Sequence, residues 1–476
     1  MHIALQGCLR ARSVPYGLTA DTGGHIKYLL ELVAASEEAG VARQEVVVRR
    51  FHDAVLGKRY GERFEPLGER SRIVRVSGAT PGYRSKEEMA PEIPAIVSNL
   101  VDHIAATSRP DVVHAHYADA GAVALELKRR LGLPFVFTGH SLGRVKAQAV
   151  GETNATLARR IATEDRVLAE ADRIVVSSRD EAERQYGLYP AMRARSRRAA
   201  ILLNPPGCDL SAFSDDDMRP ALRTLIEGPL ARPDLPVVLA IARPVWKKNL
   251  TGLVEAFAGS DLRDRANLIV VAGTREDIRA EEPEHRAVLE ELLYLRDRHG
   301  LDGHMSMPRH HEQADIPAIY AHARRSGGVF ANVAFNEPFG LTFLEAAAAG
   351  LPVVATAHGG PNDIVGRLRN GLLVDPFDTQ AVSGALARMI DDDALRDACA
   401  ARGLQRVSFY SWERHARDYR ADLERLVEQP RVQPLAPLTP RDRSAVPRDR
   451  SAVRFAPRSP APLPSRIAQA VPGEPS

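Results

Sequence analysis

The stretch that most constrains what this chain can fold into lies at residues 328–356, G-V-F-A-N-V-A-F-N-E-P-F-G-L-T-F-L-E-A-A-A-A-G-L-P-V-V-A-T. Its opening Gly-Val-Phe-Ala-Asn-Val reads as a short buried strand. Pro338 and Gly340 break the chain, residues 341–349 have helix-forming composition, Gly350 ends them, and 351–355 read as a second buried strand. A strand, a glycine turn and a helix in that order form a phosphate-binding arrangement. The N–H groups of Gly340, Leu341 and Thr342 have no partner within the helix, and the helix dipole adds to their attraction for an anion. Glu337 stands just before the turn and Glu345 inside the helix. From the residues alone, two readings of these acids stay open. One is a solvated helix with a capping acid; the other is a pair of carboxylates reaching sugar hydroxyls beside a phosphate.

Strand and helix alternate along most of the chain, in two sets. The first set has strands at 1–7, 44–50, 72–76, 110–117, 134–138, 173–178 and 200–203, with helices at 26–39, 93–106 and 120–131. The second has strands at 236–242, 267–272 and near 304–307, helices at 250–258 and 286–299, and then the 328–356 stretch. This alternation predicts an α/β protein with two parallel sheets whose ligand crevices lie at the C-terminal ends of the strands. Asn204-Pro205-Pro206-Gly207 and the acidic 214–217 mark the boundary, giving domains at 1–207 and 208–408 and a closing helical segment at 409–428. Residues 429–476 are rich in Pro and Arg and carry P-R-D-R-S-A-V at 440–446 and again at 447–453. Such a composition cannot bury a core, so this tail is expected to be disordered.

Composition narrows the class. A chain of 476 residues exceeds one ordinary core, and 44% hydrophobic with 26% charged residues is the balance of a soluble globular protein. No run of eighteen apolar residues occurs, so no membrane span is expected, and the strand-like opening differs from a signal peptide, which makes the cytoplasm the expected compartment. The formal charge is +3, but the tail carries a net +5, so the body is close to neutral and offers no nucleic-acid face. Cys8, Cys208 and Cys399 lie far apart and read as reduced structural thiols.

Polar residues gather where strands end. Asp21-Thr22-Gly23-Gly24-His25 puts two glycines at a helix start, either for a tight turn or for close approach to a phosphate or sugar. His114, His116, Tyr117 and the turn Gly139-His140-Ser141-Leu142-Gly143 share that rim. The histidines lack a fixed ligand spacing, so no metal is expected. Lys86, Lys146, Arg159 and Arg160 follow the pattern of a solvated face or of a phosphate pocket, the pattern alone favouring the former. In the second set, Arg243-Pro244-Val245-Trp246-Lys247-Lys248-Asn249 lies on a strand-to-helix loop, where an Arg fork and a Lys point charge can clamp a diphosphate.

With these residues assembled, the chain resembles the two-Rossmann-domain (GT-B) retaining glycosyltransferases and, within them, the sucrose-phosphate synthase family. The similarity covers roughly residues 1–428. It rests on D-T-G-G-H-I-K-Y-L-L-E-L, H-A-H-Y-A-D-A-G, F-T-G-H-S-L-G-R-V-K, R-R-I-A-T-E, K-K-N-L-T-G-L-V-E-A-F, N-E-P-F-G-L-T-F-L-E and N-G-L-L-V-D-P, in the family's order. The resemblance implies two Rossmann-like domains facing across a cleft, with a last helix returning to the first domain. It implies that Arg243 and Lys248 neutralise the donor diphosphate, that Phe339, Gly340, Leu341 and Thr342 enclose it, that Glu345 holds the ribose and that Glu337 contacts the donor sugar. Gly23 and Gly24 would approach the donor phosphate from the other domain, with His140 beside the sugar. Lys86, Tyr117, Ser141, Lys146, Arg159 and Arg160 would hold a phosphorylated acceptor.

The reaction so implied moves glucose from UDP-glucose to fructose 6-phosphate, giving sucrose 6-phosphate with retention, without cofactor or metal. Related transfers, such as GDP-mannose giving mannosylfructose phosphate, use the same clamps. A sugar-nucleotide-binding module without catalysis is disfavoured by the intact Glu337, Glu345, Arg243, Lys248 and His140. A nicotinamide oxidoreductase is disfavoured because no G-x-G-x-x-G follows the first strand of either half. The chain departs from the family at His25, where Gln is common, at Gly273-Thr274-Arg275-Glu276 in place of Gly-Asn-Arg-Asp, and at Met89-Ala90-Pro91 in place of Leu-Trp-Pro. The last bears on the acceptor side, beside Lys86. The phosphatase-like domain of many relatives is not found in the sequence, so a separate phosphatase is expected to finish the sugar.

Overall fold

A computed structural model describes residues 1–428 apart from 15–18, 20, 152, 194–196, 198–199, 214–216 and 274. The tail expected to be disordered lies outside the described residues, as does most of the acidic stretch expected at the domain boundary.

The first sheet has eight strands: β1 (His2–Ala4), β2 (Gln44–Arg50), β3 (Phe64–Pro66), β4 (Ser71–Ser77), β5 (Val113–His116), β6 (Phe135–Thr138), β7 (Arg173–Val176) and β8 (Ile201–Leu203). Their order is β3-β4-β2-β1-β5-β6-β7-β8, and only the β3–β4 pair is antiparallel. Val46, Val47 and Val48 of β2 are all buried although neighbours on a strand face opposite sides, which requires helices over both faces. One face packs Ile3, Val47, Val74, Ala115 and Phe137 under the helices Ile93–Ala106, Tyr117–Leu131 and Ala155–Glu170. The edge strand β3 is short, contains Pro66 and is covered by Arg63 and Arg72 over the Phe64 ring, features that prevent further strand pairing.

The second sheet has six parallel strands: β9 (Val237–Ile241), β10 (Asn267–Val271), β11 (Met305–Ser306), β12 (Val329–Asn332), β13 (Val353–Thr356) and β14 (Gly371–Val374). They lie in the order β11-β10-β9-β12-β13-β14. Its helices begin where the sequence permits. Pro283 and Pro361 occupy the first turn, and Asp378 accepts from Ala381 N at 2.9 Å to cap Thr379–Asp391.

Each sheet therefore reverses direction once, between β1 and β5 in the first and between β9 and β12 in the second. Strands on the two sides of such a switch point send their loops apart and leave a crevice between them. The last helix, Trp412–Glu428, lies on the helix Gly24–Glu38 of the first sheet, burying Tyr28, Leu32, Tyr419 and Leu426 together. The two crossings between the sheets run side by side, where Cys208 N donates to Tyr410 O at 2.7 Å; a Cβ on Gly207 would come within 2.5 Å of Trp412 N.

Candidate active site

The crevice of the second sheet is built on charge. After β12, loop 333–340 brings Glu337 to a backbone bridge with Gly359, whose φ of +98° and approach to the Glu337 carbonyl admit no side chain. Glu337 is buried, and Lys248 donates to its carboxylate. Lys248 comes from the loop after β9, which Asn249 fixes from a left-handed backbone (φ 52°) by donating to Val333 O at 3.0 Å and Pro376 O at 3.1 Å. Asn249 thus ties the loops on the two sides of the switch point together, around a small cavity lined by Lys248, Asn249, Asn332 and Val333. Arg243, on the same loop, is exposed and makes no ion pair among the described residues. Lys247 is held below the usual lysine range by burial and by the cations Lys248 and Arg243, a sign of how closely positive charge is gathered.

Gly340 starts the helix Leu341–Ala348 with φ +99°, and a Cβ there would strike the Phe343 ring at 2.4 Å. The N–H groups of Gly340, Leu341 and Thr342 have no partner among the described residues, as expected for a helix start awaiting an anion. Phe339 is buried beside Tyr410. Glu345 lies half-buried one turn further on, accepts from Tyr320 OH at 3.2 Å, and lies 3.9 Å from Lys27 Nζ of the first sheet's helix. Burial raises its carboxyl above the usual range, Lys27 opposing.

The crevice of the first sheet is built on uncharged imidazoles. The parallel register sets His2 beside His114 and Ala4 beside His116, so three rings share one stack with His140. His2 Nδ1 meets His116 Nε2 at 3.3 Å and His116 Nδ1 meets His140 Nε2 at 2.9 Å. His114 is held by Thr138 Oγ1 at 2.8 Å and Tyr419 OH at 2.7 Å. Burial pushes His2 and His140 down to about 3 and His25 to about 4, and His114 and His116 well below the ordinary value. His2, His114 and His116 bring nitrogens within 4.8 Å of one another, but both nitrogens of His114 are already engaged by hydroxyls.

Tyr117 (φ 71°) and His140 (φ 54°) both take left-handed backbone at strand ends, with rings 5.0 Å apart. Backbone strain of this kind gathers at functional sites. Gly23 and Gly24 open the helix Gly24–Glu38, and among the described residues no atom lies within 4 Å of where their Cβ atoms would be. Protein packing does not demand glycine there, so the space is available to a ligand.

The cations expected on the acceptor side divide. Arg160 donates to Glu164 at 2.8 Å and to Ser141 O at 2.5 Å, and Tyr117 feels the charges of both Arg160 and Arg243. Lys86 is held by Asp21, Nζ to Oδ1 at 2.7 Å. Lys146 and Arg159 are exposed without an ion pair among the described residues. Sequence reasoning missed Lys27, Asn249, Gln44 and His2. Of these only Asn249 carried a local signal, an Asn beside a strand-to-helix turn.

Residues 23–205 match the glycosyl transferase 4-like domain family and residues 223–406 match the glycosyl transferases group 1 family. The paired sheets have the GT-B fold, and the two matches place a glycosyltransferase-type domain in each half of the chain. Over 89% of its length the chain is 37% identical to sucrose-phosphate synthase 4 of Arabidopsis thaliana, covering 47% of that protein. To the sucrose-phosphate synthase of Spinacia oleracea it is 36% identical over 88% of its length and 46% of that protein. The solved structure of sucrose-phosphate synthase from Thermosynechococcus elongatus is similar with a TM-score of 0.71 at 24% identity, covering 89% of this chain and 98% of that one. The chain is a homologue of the sucrose-phosphate synthases and spans about half the length of the curated plant relatives it matches.

Proposed function

We propose that this chain transfers glucose from UDP-glucose to fructose 6-phosphate, forming sucrose 6-phosphate with retention at the glucosyl carbon. The observation that carries the reading is the second crevice, where three unpartnered N–H groups at Gly340–Thr342 share a domain with Arg243 and Lys248. The 36–37% identity to plant sucrose-phosphate synthases supports the particular substrates.

In this reading the bond from the glucosyl carbon to the diphosphate oxygen breaks as the acceptor hydroxyl oxygen bonds to the same face of that carbon. The acceptor proton passes to the departing phosphate oxygen. Negative charge appears on the diphosphate only as the bond breaks, so Arg243, Lys248 and the helix start act on the transition state more than on the bound donor. Glu337 is engaged by Lys248 and oriented by its bridge to Gly359, which suits a sugar-hydroxyl acceptor better than a nucleophile. Glu345, half-buried between Tyr320 and Lys27, is the ribose ligand. Arg160, Ser141 and Tyr117 take the acceptor's phosphate, with Lys86, Lys146 and Arg159 around them. These groups supply the charge stabilisation that a divalent metal would otherwise provide, so turnover proceeds without one.

Three buried thiols suit a reducing compartment, which supports the cytoplasm, and a separate phosphatase is the expected consumer of the product. The test is a matrix of UDP-glucose, GDP-mannose and other nucleotide sugars against free and phosphorylated hexoses, reading released nucleoside diphosphate with and without chelator. UDP release that requires fructose 6-phosphate supports the reading. Equal turnover of free fructose, or no release from UDP-glucose, overturns it.

A further inference from the structure

The imidazoles at the first crevice form a chain with only one consistent arrangement of protons, and that arrangement starts at Gln44. The Gln44 amide nitrogen donates to Val33 O at 2.7 Å and to Ser71 Oγ at 3.3 Å, which fixes which way the amide points. Its Oε1, an acceptor only, therefore faces His2 Nε2 at 3.4 Å and requires the proton there. A neutral imidazole carries a single N–H, so His2 Nδ1 is left as an acceptor and takes the proton of His116 Nε2. The same step repeats, and His116 Nδ1 takes the proton of His140 Nε2. His140 Nδ1 is then bare and makes no hydrogen bond among the described residues. Burial keeps all three rings neutral near pH 7, so one proton per ring is the correct count. The neighbouring His25 ring, 6.0 Å from His140 centre to centre, has a buried nitrogen, Nε2, without a partner among the described residues.

We propose that Gln44, acting through His2 and His116, is the positioning residue that holds the His140 proton on Nε2 and so reserves Nδ1 for an uncharged hydroxyl of the donor sugar. The assignment of the sugar to His140 rests on the function proposed above; the proton arrangement does not. A bare nitrogen lone pair attracts an O–H and repels a carboxylate, and no protonated group of this chain of rings offsets that repulsion. The crevice therefore selects a neutral hexose over a uronate carried on the same nucleotide.

The tautomer is read directly by long-range 1H–15N correlation on full-length protein labelled with 15N-histidine, the His140 signals being those lost in His140→Asn. In the wild type without substrate His140 is expected to carry its proton on Nε2. Gln44→Leu, which removes the acceptor, is expected to move part or all of that proton to Nδ1, and Gln44→Glu, which keeps an acceptor, to restore it. A proton on Nδ1 in the wild type overturns the proposal even if no variant folds. So does a tautomer indifferent to Gln44→Leu in a variant of native circular dichroism. Competition between UDP-glucose and UDP-glucuronate supplies the second arm. The wild type is expected to prefer UDP-glucose by at least about tenfold, the scale of one hydrogen bond gained or left unmade, and Gln44→Leu to narrow that to about threefold. A preference that ignores Gln44 overturns the specificity role. If the tautomer follows Gln44 while neither nucleotide sugar binds, the relay is upheld and the donor assignment is what fails.

Discussion

The two switch points of this molecule are built from the same topology and opposite chemistry. Between β9 and β12 the loops carry Arg243, Lys247, Lys248 and Glu337 with free N–H groups at a helix start, all of them charged or dipolar. Between β1 and β5 the buried groups are His2, His114 and His116, with His140 beside them, all neutral near pH 7. A parallel sheet supplies the crevice in both places; the residues at the strand ends decide what it accepts. Under the function proposed above, the charged crevice takes the leaving diphosphate, whose charge grows during reaction, and the neutral one takes sugar hydroxyls, whose charge does not change.

The comparison breaks most visibly if charge is removed from the second crevice. Arg243→Ala or Lys248→Ala is expected to lower kcat for UDP-glucose by roughly 10²- to 10³-fold, the usual cost of losing one group that stabilises transition-state charge. Steady-state kinetics measures it, and a change confined to KM would assign these residues to ground-state binding instead.

Acid attacks the other crevice. His2, His25, His114, His116, His140 and His415 have pKa values lowered by burial, His25 and His415 to about 4 and His2 and His140 to about 3. Unfolded histidine titrates near 6.5, so below that pH the unfolded chain binds protons that the folded chain refuses. The stability these neutral rings contribute is complete above about pH 6.5 and is lost progressively as pH falls toward 4. Glu31, pushed up to about 7 by burial, opposes this in the upper part of the window, and Glu345, Glu181 and Asp119, also raised by burial, oppose it too, because their folded forms take up protons first. The histidines outnumber them. Urea unfolding at pH 7, 6, 5 and 4 is expected to show falling stability, and His116→Gln to flatten the curve.

Smaller effects sharpen the division. Glu345→Ala removes one half-buried ligand and its link to Lys27, and is expected to raise the KM for UDP-glucose about tenfold with little change in kcat, on the scale of a hydrogen bond to a charged group. Lys146→Ala or Arg159→Ala removes an exposed cation and is expected to raise the KM for fructose 6-phosphate a few-fold, leaving the donor KM unchanged. Both are read from kinetics with the second substrate saturating.

Much of the fold was legible in the sequence where one physical signal dominated. The strand Gln44–Arg50 was placed at its observed bounds by its run of valines, and Gly340 and Gly350 bracketed the helix Leu341–Ala348. The short strand Phe64–Pro66 was not legible, since three residues ending in proline gain their place only by pairing at an edge. The helix Asp393–Arg406 escaped because only Cys399 and Gly403 are buried, leaving no apolar stripe to read. Strand β14 and the helices Pro220–Glu227, Ile316–Arg325 and Thr379–Asp391 were likewise not anticipated. In the site, Arg243, Lys248, Gly340 and Glu345 stood in readable local contexts. The Lys27–Glu345 contact and the Gln44–His2–His116–His140 chain did not, because each depends on strands and helices brought together from distant parts of the sequence.

The division of labour is tested most directly by calorimetric titration of His140→Ala with UDP and with UDP-glucose, beside Arg243→Ala. His140→Ala should bind UDP as the wild type does and lose only the extra affinity that glucose provides, whereas Arg243→Ala should weaken UDP, which carries the full charge of the departed diphosphate, more than UDP-glucose. Equal weakening of UDP and UDP-glucose by His140→Ala would contradict the assignment of the sugar to the neutral crevice.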